Sequence, residues 1–100
     1  MAIPAQYHGR WSGITYDVNR VNPYRGEIVL TADGGNSTYH MSRGDKTGTL
    51  SQVREVNGSV EVYETMLNGG VSGTLSFVLD GAGGLECTWQ NGCKATMTRS

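Results

Sequence analysis

Two Asn-Gly pairs, Asn57-Gly58 and Asn68-Gly69, constrain this chain more than any other feature. They lie in the stretch 55–80, E-V-N-G-S-V-E-V-Y-E-T-M-L-N-G-G-V-S-G-T-L-S-F-V-L-D. Asn-Gly suits the two-residue hairpin turn whose central residues both need positive φ. With Asn57-Gly58 as a loop, Val53 faces Val62, Arg54 faces Glu61 and Glu55 faces Val60. With Asn68-Gly69 as a loop, Met66 faces Val71, Glu64 faces Gly73, Val62 faces Leu75 and Val60 faces Phe77. Side chains alternate between faces along a strand. One face then carries Val53, Val60, Val62, Met66, Val71, Leu75 and Phe77, and the other Arg54, Glu61, Tyr63, Thr65, Ser72, Thr74 and Ser76. Both turns give the same inside and outside, which a one-residue slip would destroy. Glu64 falls on the apolar face, with Gly73 opposite and Ser51 on its other side.

The remaining segments continue the strand pattern. No stretch holds a 3.6-residue period, and glycine, at 15 of 100 residues, recurs too often for a long helix. A first strand is expected over 6–18, with Ile14, Tyr16 and Val18 on one face. Trp11 has the opposite parity, which predicts a bend at Gly9 or Gly13. A turn follows over 19–23, then a strand over 24–32 with Ile28, Leu30 and Ala32 on one face. Residues 33–36 read as a tight turn, 37–41 as a short strand of undecided inner face, 42–46 as a charged loop and 47–56 as a fourth strand. The last hairpin pairs 84–89 with 93–98 around Gln90-Asn91-Gly92, which places Gly at the left-handed position of a three-residue loop. That register sets Leu85, Cys87, Trp89, Cys93, Ala95 and Met97 inward. Eight strands with short connections form a meander that must curl to bury its one apolar face. The expected fold is all-β, one domain over 1–100, an eight-stranded antiparallel up-and-down barrel; a two-sheet sandwich is the alternative.

The chain resembles a small bacterial β domain found beside serine/threonine protein kinases and in lipoproteins. The likeness is carried by Trp11-Ser12-Gly13, the E-T-M around Glu64, G-V-S-G-T-L at 70–75, Thr88-Trp89 and the closing K-A-T-M-T-R. Val71 or a neighbour stands where that domain has a cysteine before Ser72-Gly73, and Met97 where it has leucine. The resemblance implies a barrel and a non-catalytic role. The W-x-G at 11–13 is also similar to calycins, the ligand-binding barrels, although this chain is far shorter than a lipocalin.

Charge and composition exclude several classes. Eight basic and nine acidic residues give a net charge of −1 with no basic run, which disfavours nucleic acid or an anionic membrane as partner. No apolar stretch is long enough to span a bilayer. The start, M-A-I-P-A-Q-Y-H, lacks the charged and apolar regions of a signal peptide, which favours the cytoplasm.

Glu64 is the leading candidate for function. A carboxylate on an apolar face is costly unless paired or hydrogen-bonded. It is read either as a structural carboxylate held by Arg10, Arg25, a Trp indole or a Tyr hydroxyl, or as the polar anchor of a small ligand. General acid–base work would need a second group, and the register places no carboxylate beside it. Trp11 and Trp89 are read as core plugs or as stacking platforms. Cys87 and Cys93 share a face but stand diagonally, about 7–8 Å apart, which is long for a disulfide, so two buried free thiols are expected. Their spacing is not that of a zinc site. His8 and His40 are isolated, and the Gly-rich stretches 68–73 and 81–84 do not lead into a helix, so neither catalysis nor a phosphate or other cofactor site is expected. The sequence therefore reads as a non-enzymatic binding module for a protein or a small molecule. A protein would meet the loops at one mouth or the outward face of Tyr63. A ligand would need an interior that side chains leave unfilled.

Overall fold

A computed structural model describes residues 1–16 and 23–100. The chain forms eight antiparallel strands: β1 (Gly9–Tyr16), β2 (Tyr24–Thr31), β3 (Gly34–Met41), β4 (Gly44–Val56), β5 (Ser59–Met66), β6 (Gly73–Leu79), β7 (Gly84–Trp89) and β8 (Lys94–Arg99). Each pairs with the next, and β8 returns to β1 through Trp11 opposite Arg99 and Thr15 opposite Ala95, closing an up-and-down barrel. The sandwich alternative is thereby excluded. The expected registers hold at the first Asn-Gly turn, across β5–β6 and in the last hairpin. Asn57 and Gly58 have φ of 51° and 86°, with Arg54 opposite Glu61 and Glu55 opposite Val60. Glu64 faces Gly73, Val62 faces Leu75 and Val60 faces Phe77. Leu85 faces Met97 and Cys87 faces Ala95, and the Trp89 N–H donates to the Cys93 carbonyl at 2.9 Å. All six inward residues of that hairpin are buried, and both cysteines are free.

The departures have local causes. In β4, Ser51 pairs with Tyr63 and Leu50 with Glu64, because an extra residue enters between Ser51 and Arg54. Gln52 takes φ 54° at this bulge. Leu50 and Val53 are three apart, and only an extra residue lets Leu50 be buried while Val53 packs against the same core. The neighbour of Glu64 is thus Leu50, not Ser51. The second Asn-Gly pair does not make a two-residue turn. Leu67 N–H continues the β5–β4 contact by donating to Thr47 O at 2.9 Å, and the Asn68 side chain binds β4, accepting from Thr47 N–H and donating to Asp45 O. Residues 67–72 therefore form a longer loop, and Val71, expected inside, is 82% exposed.

In β1, Trp11 and Thr15 are buried while Ile14 and Tyr16 are exposed, so the apolar alternation of this strand lies outside. Val18 and most of the turn expected over 19–23 lie outside the described residues. The turns at 33–36 and 42–46 shrink to Ala32-Asp33 and Ser42-Arg43, because Gly34, Gly35 and Gly44–Lys46 join the ladder. Ala32 is exposed at the first of these turns. On β3 the inner residues are Ser37 and Tyr39.

One end of the barrel is sealed by the N-terminal segment. Ile3 donates its N–H to Ala32 O, and the single helical turn Ala5–Tyr7 brings Ile3 and Tyr7 into the core. Tyr7 meets Phe77 edge to face at 5.4 Å. Trp11 Nε1–H donates to Tyr7 O at 2.9 Å, and the Arg99 guanidinium lies 4.2 Å over the Trp11 ring while donating to the carbonyls of Gln6 and His8. Trp11 is a plug that ties the first strand, the last strand and the N-terminal segment together. Arg54 Nε donates to Glu61 Oε1 at 2.7 Å on the outer wall, as the first hairpin register requires.

Gly35 tests the closeness of this packing. Its φ is 147°, and a methyl group there would lie 1.8 Å from Val29 O, whereas one at Gly44, also at positive φ, would meet no atom within 4 Å. Gly35→Ala should lose stability in two parts, backbone strain and steric overlap, of about 1–3 kcal/mol each. Gly44→Ala should lose only the first. Urea midpoints at unchanged slope measure the difference.

Candidate functional site

The end of the barrel opposite the plug is open and carries a cavity of about 470 Å³. Its floor is built by three inward positions. Glu64 on β5 is 4% exposed, and Tyr39 on β3 and Trp89 on β7 are buried beside it. Ser37 Oγ–H donates to Glu64 Oε2 at 2.7 Å, and the Tyr39 hydroxyl donates to the same oxygen. Trp89 Nε1–H donates to the Tyr39 hydroxyl at 2.9 Å, so the phenol both donates and accepts. The Tyr39 ring is held edge to face between Tyr24, at 5.9 Å, and Trp89, at 6.0 Å.

Glycine makes the space for this network. Gly48, on the strand next to β5, would place a methyl group 2.8 Å from Ser37 Oγ and 3.2 Å from Glu64 Cγ. Gly73, opposite Glu64 as the register requires, admits Gln90, whose Oε1 accepts from Thr74 N–H at 3.0 Å. The cavity wall above is Met41, Met66, Val71 and Cys93, with Lys46, Ser72 and Asn91 around the mouth.

Among the described residues, the electrostatics of Glu64 are unbalanced. Both of its hydrogen bonds fall on Oε2, and among the described residues no donor reaches Oε1. The one fully buried side-chain oxygen without a partner among the described residues is Thr15 Oγ1. Glu64 lines the cavity, so Oε1 is the oxygen left to face it. Among the described residues the ion pairs join Arg54 to Glu61 and His40 to Glu27 and Asp45; none involves Glu64. Arg10 is exposed, and Arg25 donates to Ser12 Oγ instead, so neither arginine holds the carboxylate. Burial, followed by the negative charge of Glu64 and the hydrogen bond to it, pushes the Tyr39 phenol far above its ordinary range.

Of the candidate residues, Glu64 and Trp89 meet through Tyr39, whereas Trp11 lies at the sealed end. Ser37 and Tyr39 carry no signal in the sequence, because β3 has polar residues on both faces and its alternation is silent, and Gly48 on β4 is one glycine among fifteen. Cys93 lines the cavity, and Cys87 lies deeper, where burial pushes its thiol up to about 12. His40 sits on the outer wall, its pKa raised by hydrogen bonds to Glu27 and then Asp45. Among the described residues no three His, Cys, Asp or Glu side chains are arranged to hold a metal, and no helix is long and apolar enough to cross a membrane.

Glu64→Ala should destabilise the fold on the order of 1–3 kcal/mol, because it removes the acceptor of two buried hydroxyls; an unchanged melting curve would contradict the network. Tyr39 gives a pH signature. Its folded pKa lies above the unfolded value of about 10, so its contribution to stability is complete below pH ~10 and declines as pH rises beyond it. In an ultraviolet phenolate titration of the folded protein, the ionisation that Tyr39→Phe removes should lie far above the ordinary tyrosine range.

No family model, no curated protein sequence and no solved structure matches the chain.

Proposed function

We propose that this barrel is a non-enzymatic binding module whose ligand is a small organic molecule held in the open end, with Glu64 as its polar anchor. The reading rests on one observation: a nearly buried carboxylate, with one oxygen unused by the described protein groups, forms the floor of a cavity of about 470 Å³. Small-molecule sites of this volume join apolar walls to a few placed polar groups. Here Met41, Met66, Tyr24 and Trp89 supply the wall and Glu64 the polar group. A binding role is favoured over catalysis by the state of Tyr39, the second titratable group at the floor. Its hydroxyl is committed to Glu64 and Trp89, and its raised pKa keeps the proton in place. It positions the carboxylate and has no free proton to exchange with a substrate. The likeness to the kinase-associated β domain implies the same non-catalytic class.

Cys93 is a reporter within the cavity wall. A thermal-shift screen of small organic fragments should find binders whose effect disappears after Cys93 is blocked with a bulky thiol reagent. Binders indifferent to the block would place recognition on the outside of the barrel and favour a protein partner at the mouth or at Tyr63; the absence of any binder would also count against the cavity.

A further inference from the structure

Resting on the binding role proposed above, we infer that the ligand is a monocationic amine, its ammonium group seated on Glu64 Oε1 and its apolar or aromatic body filling the space below the mouth. Three observations converge on this chemistry. The first is a counter-charge that the described residues do not supply. Glu64 is only 4% exposed, it has no cationic partner among the described residues, and its two hydrogen bonds both fall on Oε2. A buried charge without an opposite charge is unfavourable, and a bound cation removes the imbalance where a neutral donor does not.

The second is the wall. Tyr24, Tyr39 and Trp89 line the cavity around the carboxylate, and aromatic faces and a carboxylate together attract an ammonium group. The same surroundings repel a carboxylate or phosphate at the floor. The third is the position of Lys46, the one cationic side chain lining the cavity among the described residues. Its place on β4 is opposite Tyr39, two residues nearer the mouth than Gly48. Its Nζ lies 2.7 Å from where a methyl group on Gly69 would stand, so the ammonium rests against the 67–72 loop and not on Glu64. A cation at the mouth leaves the floor carboxylate free and disfavours a second positive charge at the outer end of the ligand. Diamines and polyamines should therefore bind less well than monoamines.

Four probes separate these terms: 2-phenylethylamine, 2-phenylethanol, phenylacetate and 1,6-diaminohexane, each tested at neutral pH by calorimetry and by protection of Cys93 from a small alkylating reagent. Cys87, buried and with its thiol pushed up to about 12, should stay silent. The amine should bind at least tenfold more tightly than the alcohol and protect Cys93, with phenylacetate and the diamine weaker. In Glu64→Gln, which keeps an acceptor for Ser37 and Tyr39, the amine's advantage over the alcohol should vanish. Protection by the alcohol or by phenylacetate equal to that by the amine would overturn the cationic assignment and leave the cavity as a binding site. Failure of every probe to protect Cys93 at millimolar concentration would overturn the assignment and the ligand-binding role together. The comparison among probes on the unmodified protein stands even where Glu64→Gln folds poorly.

Discussion

The return of β8 to β1 governs everything else in this protein. Once the ladder closes, every strand has two neighbours and no edge is left to pair, so each strand has one face to fill and one to present. The two ends solve the filling problem differently. At one end Ile3, Tyr7 and Trp11 supply apolar bulk, and Arg99 on the last strand clamps the N-terminal segment through its carbonyls and the Trp11 face. At the other end glycine and serine replace bulk at Gly48, Gly73 and Ser37, and the interior opens. A barrel of this size fills itself when its inward positions are large, and here they are large only over part of its length.

The open end carries the polar cost of the fold. Ser37, Tyr39 and Trp89 form a chain of donors that ends on a single oxygen of Glu64. The chain satisfies the indole and both hydroxyls, which is why these groups tolerate burial. It does not neutralise the carboxylate. A protein selected only for stability gains nothing from a half-satisfied charge at the bottom of a cavity, since an apolar replacement of similar volume is often as stable or more so. The fold instead holds, beside an open space, a carboxylate that the described residues satisfy on one oxygen only.

Much of this was legible in the residues. Asn57-Gly58 and the run from Val60 to Phe77 set the inside of β5, of β6 and of β4 as far as its bulge, and Gln90-Asn91-Gly92 set the last hairpin, because period-two alternation leaves no second register that keeps the same residues buried. Glu64 opposite Gly73 follows from the register read off Asn68-Gly69, which holds across β5–β6 although the two-residue turn itself does not form. Other features were hidden for identifiable reasons. The 67–72 loop defeats a turn rule because Asn68 spends its side chain on the β4 backbone, a contact between strands distant from the turn. Ile14 and Tyr16 advertise an inner face on β1, but Trp11 is larger and its anchoring to Tyr7 and Arg99 decides the parity. The bulge at Gln52 escapes a strict alternation, which carries Ser51 and not Leu50 to the inner face of β4.

The sequence by itself determined the strand class, the meander and the inward position of Glu64, since these depend on local turn chemistry and on alternation, which are properties of neighbouring residues; closure as a barrel and not a sandwich was decided by the distant pairing of β8 with β1. Only the tertiary structure decided what meets the carboxylate. Ser37, Tyr39 and Trp89 lie 27, 25 and 25 positions from Glu64 along the chain, and their convergence depends on the curvature and stagger of a closed barrel, which no local pattern encodes. The same holds for the cavity. Emptiness is a property of the summed volume of side chains from many strands, so Gly48, Ser37 and Gly73 acquire their meaning only when the sheet brings them around Glu64.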